Sequence, residues 1–446
     1  MRTNFACILS TLSLACLLSL ILAQEVPLAL QSDHTASPLS LLTPPGVSAV
    51  DGVSNFIMNS MSPSQREEIM LKLWEQQDVV EVMKMTGHGA GLDEQRILDV
   101  FGQGVMIASE GDKLRLKKDG YSFMDITDHQ DLGELNKQRL RTAAVSPTLT
   151  INAKSTVDAM TAELNTRHLR EDLEVLSSFW TRNYYTHWGL RSSNWIHDQV
   201  EKVLATSPTA AVKTSVSKFS HVFLQNTIIA RLERSDDTSE DKQIIILSAH
   251  QDSLNYLLPF YRAPGADDDG SGSVTILQVL RSLIEQSFVP PPNIAVEFHW
   301  FAAEEGGLLG SQAVASAYEK ADKTVKGMLH MDMTAFVKKG SKPIIGFFDS
   351  QVNANLTTFA TQLVESYIPL SWGYTGCGAS CGSDHMSFNK AGFPVAFATE
   401  GLFEDGPQNI HTAGDDMDND GQFSLDHMLE FVKLGIAFVA ELAASP

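Results

Sequence analysis

Three short apolar runs in this chain each lead into residues of the metal-binding type, and that pattern constrains the fold more than any other feature. Gln243 to Ala249 (QIIILSA) leads into His250, Ile294 to Ala303 (IAVEFHWFAA) into Glu304 and Glu305, and Met328 to Met331 into Asp332. Such runs read as buried strands, and in an open α/β sheet the C-terminal strand ends form the ligand edge. Further runs at Lys342 to Phe348 and Phe393 to Phe397 add strands. Val274, Leu277, Leu280 and Ile284 form one stripe of a helix over Ser273 to Glu285, and Phe423 to Leu442 is a long amphipathic helix interrupted by Lys433 and Glu441. The expected class is α/β: a mixed, mainly parallel central sheet with helices on both faces.

Asp268 in PGADDDGSGS and His411 in NIHTAGDD extend the polar set. Imidazole plus carboxylate suits zinc, and two ions roughly 3.5 to 4 Å apart can share one carboxylate and one water. Five ligands with one shared give three to each metal, leaving an open position for a water whose pKa falls to about 7 on zinc. Glu304 and Glu305 need separate roles: at an extended strand end successive side chains face opposite ways, so one binds and the other takes a proton. Asp252, two residues after His250, lies on the same side and can accept the free imidazole N–H. The alternative for ADDDGSG is an acidic turn capping the following helix. His330 shares a strand face with Asp332 but is expected to be a packed, hydrogen-bonded histidine. Ser383, Asp384 and His385 are contiguous and do not suit a serine triad.

Taken together, the HxD, GADDDGSG, AEE, DM and IHT elements resemble those of the secreted co-catalytic di-zinc leucine aminopeptidases of bacteria and fungi. SSNWIHDQVEKVL and QNTIIARL also resemble segments of that family, so the likeness runs from around Thr148 to the C-terminus. It implies a zinc-exopeptidase-like three-layer sandwich with Asp268 as bridge, His250 and Asp332 on one zinc, Glu305 and His411 on the other, and Glu304 as general base. It implies a cis peptide after Asp268 and a substrate pocket walled by Met333, Cys377, Cys381, Phe397, Phe403 and Ile410. Some relatives carry an aromatic residue between the loop cysteines, where this chain has Gly378, Ala379 and Ser380.

The N-terminus reads as a secretory signal over residues 1–23, with Arg2, an apolar stretch from Ile8 to Leu22 and Ala23 before Gln24. A signal anchor competes, but about 15 apolar residues are short for a span. Cys7 and Cys16 leave with that segment, and Cys377 and Cys381 remain as a pair. A zinc half-site would need two more soft ligands nearby, so a small-loop disulfide is expected, matching export. Asn355-Leu356-Thr357 is a glycosylation sequon. Residues 24–145 read as a propeptide: a Pro/Ser-rich linker, a helix start with Ser62, Pro63 and Gln65, then basic Lys137, Arg139 and Arg141. YSFMDITDH resembles the end of fungal pro-regions. A retained accessory domain is the alternative.

A formal charge of −21 argues against nucleic acid or anionic membranes as partners. The reading is a secreted, monomeric metallo-aminopeptidase occupying residues 146–446, acting on peptides with a free N-terminus and inhibited by its own propeptide. Its rivals are a di-zinc carboxypeptidase, which needs a cationic group for a terminal carboxylate where the flanks of the five motifs offer no obvious arginine, a non-catalytic binding ectodomain, and single-zinc aminoacyl transfer on a similar fold.

Overall fold

The computed structural model describes residues 77–85, 87–135, 150–378 and 381–445. The expected signal segment, the helix start at Ser62, the basic residues Lys137, Arg139 and Arg141, and Ala379 and Ser380 lie outside the described residues. The chain divides into two compact units.

Among the described residues, the smaller unit comprises residues 77–96 (residue 86 apart), Ile107–Gly120 and Tyr256–Leu258. A helix over Val79–Met85 buries Val79 and Val80 together with Leu92. A second helix, Glu110–Lys118, begins in a capping box: the Ser109 hydroxyl accepts the Asp112 N–H, and the Asp112 carboxylate accepts the Ser109 N–H at 2.9 Å. Two otherwise orphaned donors are thereby satisfied.

The larger unit comprises the described residues within 97–106, 121–255 and 259–445. Strand β1 (Gln95–Val100) precedes β2 (Gly104–Ser109) and pairs antiparallel with β3 (Phe123–Asp125). The residues around β3 fall before position 146, yet they pack as part of this unit. The Asp125 N–H donates to Gly307 O at 3.0 Å, and Met124 and Ile126 cluster with Leu308.

The main sheet has eight strands: β4 (Val212–Phe219), β5 (Thr227–Arg234), β6 (Gln243–His250), β7 (Ile294–Phe301), β8 (Thr324–Met331), β9 (Ile344–Phe348), β10 (Ser371–Thr375) and β11 (Val395–Thr399). Their order is β10-β9-β11-β8-β6-β7-β5-β4. The central β11, β8, β6 and β7 are mutually parallel, while β5 and β4 add antiparallel pairs at one side. Pro343 and Pro394 lack the N–H a ladder needs, so β9 and β11 begin just after them rather than at Lys342 and Phe393.

Period-two alternation explains why β6 is apolar throughout. Ile245, Leu247 and Ala249 join one core with the Gly272–Glu285 and Leu425–Ala444 helices, whereas Ile244 and Ile246 join a second core with Val314, Ala315 and Phe388 from the opposite face. Val274, Leu277, Leu280 and Ile284 are all buried, and each such side chain contributes roughly 1.5–3 kcal/mol by leaving water. Glu441, expected to interrupt the apolar face of the last helix, is itself buried. Its Oε2 accepts the N–H groups of Asn152 and Ala153 at 2.6 and 2.9 Å, and Tyr367 donates its hydroxyl to Oε1.

β6 sits where the connections diverge: the next strand, β7, lies on one side of it and β8 on the other. Such a switch point leaves a crevice beyond the C-terminal strand ends.

Candidate metal centre

Side chains from five separate parts of the chain meet at that crevice. His250 ends β6, and its Nε2 lies 3.0 Å from Asp268 Oδ1 and 3.6 Å from Asp332 Oδ1. His411 Nε2 lies 2.8 Å from Asp268 Oδ2 and 3.0 Å from Glu305 Oε1. The two oxygens of Asp268 therefore face different imidazoles. Donor atoms of His250, Asp268 and Asp332 fall within 4.8 Å of one another, and so do those of Asp268, Glu305 and His411. A further group, His197, Asp198 and Glu201, lies along the helix His187–Ala205 and shares no residue with either set.

The electrostatics suit added positive charge. Burial opposes protonation of His250, but Asp332, Asp252 and Asp268 outweigh it and raise the ring pKa well above its ordinary value. Glu305 and Asp268 do the same for His411 against its burial. Burial would raise the Asp268 carboxyl, and the two histidines pull it down instead. Buried carboxylates that favour added positive charge beside two imidazoles, whose ring nitrogens become donors once deprotonated, have the chemistry of a zinc site.

The loops carrying these candidate ligands are held by backbone hydrogen bonds to buried carboxylates. Asp252 Oδ1 lies 3.5 Å from His250 Nδ1, while its two oxygens accept the N–H groups of Glu304 and Glu305 at 3.0 and 3.1 Å. Asp269 accepts the N–H groups of His250, Gly272 and Met333. Asp415 accepts those of Asp267 and Asp268, both at 3.0 Å. Burial and then the neighbouring Asp267 push the Glu400 carboxyl well above its ordinary value, and Glu400 Oε2 accepts the Phe336 N–H at 2.6 Å. The Asp268-Asp269 peptide bond is cis.

Glu304 and Glu305 are not on a strand. β7 stops at Phe301, Ala303 takes φ +55°, and Glu304 O accepts the N–H groups of Gly307 and Leu308 in a tight turn. Turn geometry, not strand alternation, separates the two glutamates. Gly306 is needed there, because a Cβ would meet the Tyr184 ring at 2.6 Å.

His330 is fully buried, with Nδ1 3.0 Å from Ser248 Oγ and Nε2 2.8 Å from Ser383 Oγ. Its second nitrogen faces a serine rather than a carboxylate, so Ser383 has no triad. Met333 follows Asp332 with φ +61°. Cys377 and Cys381 form a disulfide. Phe397 is buried, stacked on Phe348 at 4.3 Å and beside His385 and His330. Phe403 is 55% exposed and its N–H donates to Thr375 Oγ1, which anchors its turn to the strand preceding the disulfide loop. Ile410 is half-buried, and Asn355 is exposed in the first turn of the Ala354–Tyr367 helix.

Arg182, Asp269, Glu400 and Asp415 were not singled out from sequence. Asp269 and Asp415 lie inside the quoted motifs, where acidic residues beyond the ligands were the available signal. Arg182 carried none.

Fold and site together define a metal-dependent hydrolase of the zinc-exopeptidase type. Residues 227–434 match the model of peptidase family M28. Leucine aminopeptidase 1 of Metarhizium robertsii is 40% identical over 340 residues, which is 75% of this chain and 84% of that one. Leucine aminopeptidase 1 of Aspergillus clavatus is 40% identical over 345 residues, 76% and 86% of the two chains. The Legionella pneumophila LapA aminopeptidase has a similar structure, with a TM-score of 0.66, 26% identity, and coverage of 77% of this chain and 91% of that one. The chain belongs to the leucyl aminopeptidases of peptidase family M28, and is a metallo-aminopeptidase dependent on zinc.

Proposed function

We propose that the protein is a secreted, monomeric enzyme that removes the first residue of peptides, leucine and other apolar residues foremost, using two zinc ions. His250, Asp268 and Asp332 would hold one ion, and Asp268, Glu305 and His411 the other. The observation that carries this reading is the orientation of Asp268, with one carboxylate oxygen toward each imidazole. Bound zinc supplies Lewis acidity and a water acidic enough to give hydroxide near neutral pH.

The chain's own groups do the rest. Glu304 takes the proton of the attacking water and passes it to the departing amine. Asp252 holds the Glu304 and Glu305 backbone, so the acid-base and ligand carboxylates stay fixed relative to each other. Two zinc ions would offset the charge of Asp268, Glu304, Glu305 and Asp332, so the choice of peptide end has to rest on positioning groups rather than on net charge. The one fully buried arginine among the described residues, Arg182, gives its side-chain donors to backbone carbonyls, so it offers no carboxylate clamp of the kind a carboxypeptidase needs. Met333, Phe397, Phe403, Ile410 and the Cys377–Cys381 loop are the proposed walls for the first side chain. Asn355 is the proposed glycan site. Residues 1–23 are the signal peptide, and 24–145 a propeptide that inhibits until it is cut between Lys137 and Ser146.

One experiment tests this reading. Free and N-acetylated Leu, Ala, Glu and Lys peptides are incubated with purified precursor and with protein whose N-terminus lies between Lys137 and Ser146. First-residue release from free Leu peptides by the trimmed form is expected, with little from the precursor or from N-acetylated peptides. C-terminal release first, or equal cleavage of acetylated peptides, would refute the aminopeptidase reading, and a fully active precursor would refute the inhibitory role.

A further inference from the structure

Arg182 is a large cation with no exposed surface and, among the described residues, no ion-pair partner. Its acceptors are backbone carbonyls. Nε donates to Gln251 O at 2.7 Å, Nη2 to Gly265 O at 2.9 Å and Nη1 to Pro264 O. Gln251 lies between His250 and Asp252, and Pro264 and Gly265 begin the turn that delivers Asp268. The same residue reaches further through its main chain. Its N–H donates to Ser253 Oγ at 2.9 Å, and its carbonyl accepts Gln225 Nε2 at 3.0 Å. Gln225 Oε1 in turn accepts the N–H of Ala303, the residue before Glu304, at 3.4 Å.

The surroundings are shaped for this side chain. Gly265 takes φ +51°, and a Cβ there would lie 2.8 Å from Arg182 Nη2 and 2.6 Å from Ser253 Cβ. Burial lowers the guanidinium pKa from its ordinary value, and the charges of Asp415, Asp252, Asp269 and Asp268 work against that burial. A planar fork with several fixed donors can bind separate carbonyls at once, which an ammonium on a flexible stem does less well. Neutral side chains of this size cannot both donate so widely and offset the repulsion of clustered carboxylates.

We propose that Arg182 is a positioning residue for the metal centre: it clasps the His250, Asp268 and Glu304–Glu305 loops together and offsets their charge, so that the site is shaped before zinc arrives. This extends the two-zinc reading above. It predicts that Arg182 governs metal affinity without touching metal or substrate.

The test uses full-length protein carrying Arg182→Lys, Arg182→Met or Ser253→Ala, the last removing only the hydroxyl that accepts the Arg182 N–H and donates to Ala263 O. Zinc affinity is measured by competition with a chromophoric chelator, and the cobalt(II)-loaded proteins are compared by visible absorption. Arg182→Met is expected to bind zinc at least about tenfold more weakly and to alter the cobalt spectrum, with Arg182→Lys and Ser253→Ala intermediate. Folded variants with lower thermal stability but wild-type zinc affinity and cobalt spectrum would overturn the proposal, since a purely structural residue would behave that way. If Arg182→Met fails to fold, unchanged affinity in Ser253→Ala and Arg182→Lys overturns it equally. A wild-type stoichiometry of one zinc would refute the two-ion reading, while Arg182 would still be judged on the affinity of that one ion.

Discussion

Replacing Asp252 by asparagine changes few atoms and should have two separable effects. The carboxylate accepts from Glu304 N–H at 3.0 Å and from Glu305 N–H at 3.1 Å, and it faces His250 Nδ1 at 3.5 Å, all without exposure to solvent. Asparagine keeps one acceptor oxygen and turns the other position into a donor, so one glutamate N–H loses its partner and meets a second donor. A hydrogen bond to a charged acceptor contributes about 1.5–3 kcal/mol, and a buried unsatisfied donor costs about 1–3 kcal/mol. Because these overlap, the metal-free protein should lose about 2–4 kcal/mol in urea unfolding. Groups that orient metal ligands typically change affinity by about 10- to 100-fold, and chelator competition should show a loss in that range. An asparagine variant with zinc affinity within about threefold of wild type would refute the argument that Asp252 aligns ligand and base together.

Two more outcomes follow from the same geometry. Glu304→Gln should retain zinc by elemental analysis while losing about 100- to 10,000-fold in kcat, whereas Glu305→Gln should lose metal; equal metal loss in both would refute the role assignment. Carboxylates hold the pKa values of His250 and His411 well above the ordinary imidazole value, so their contribution to metal-free stability is complete below the unfolded pKa, about 6.5, and is lost as pH rises through the raised folded values. Zinc must displace those protons, so its affinity should be greater at pH 8 than at pH 6, with proton release detectable by calorimetry in buffers of different ionisation enthalpy. Affinity independent of pH would contradict this.

The sheet was legible because β6 is buried on both faces and lacks polar alternation, and β7 and β8 stay mainly apolar despite Glu297, His299 and Lys326; the candidate ligands at their ends followed from the same fact. The division of ligands between two groups was not. It came from resemblance, since nothing in residues 250, 268, 305, 332 and 411 taken singly says which will meet. The turn at Ala303 was hidden because IAVEFHWFAA stays apolar beyond the last ladder hydrogen bond. Arg182 and Glu441 were hidden for a different reason. A charged residue in a sequence is ordinarily a surface residue, and only tertiary structure shows that Arg182 meets three carbonyls or that Glu441 meets two amides and a phenol.

Glu441 also sets a limit on how far the front of the enzyme can be nibbled away. The amides of Asn152 and Ala153 rest on this buried carboxylate in the last helix. Exopeptidases working inward from a cut near Ser146 would meet backbone already fastened to the far end of the chain. Digestion beyond Ala153 would strand a carboxylate away from water with two of its donors gone, so ragged N-termini should cluster before Asn152 and shorter chains should be cleared.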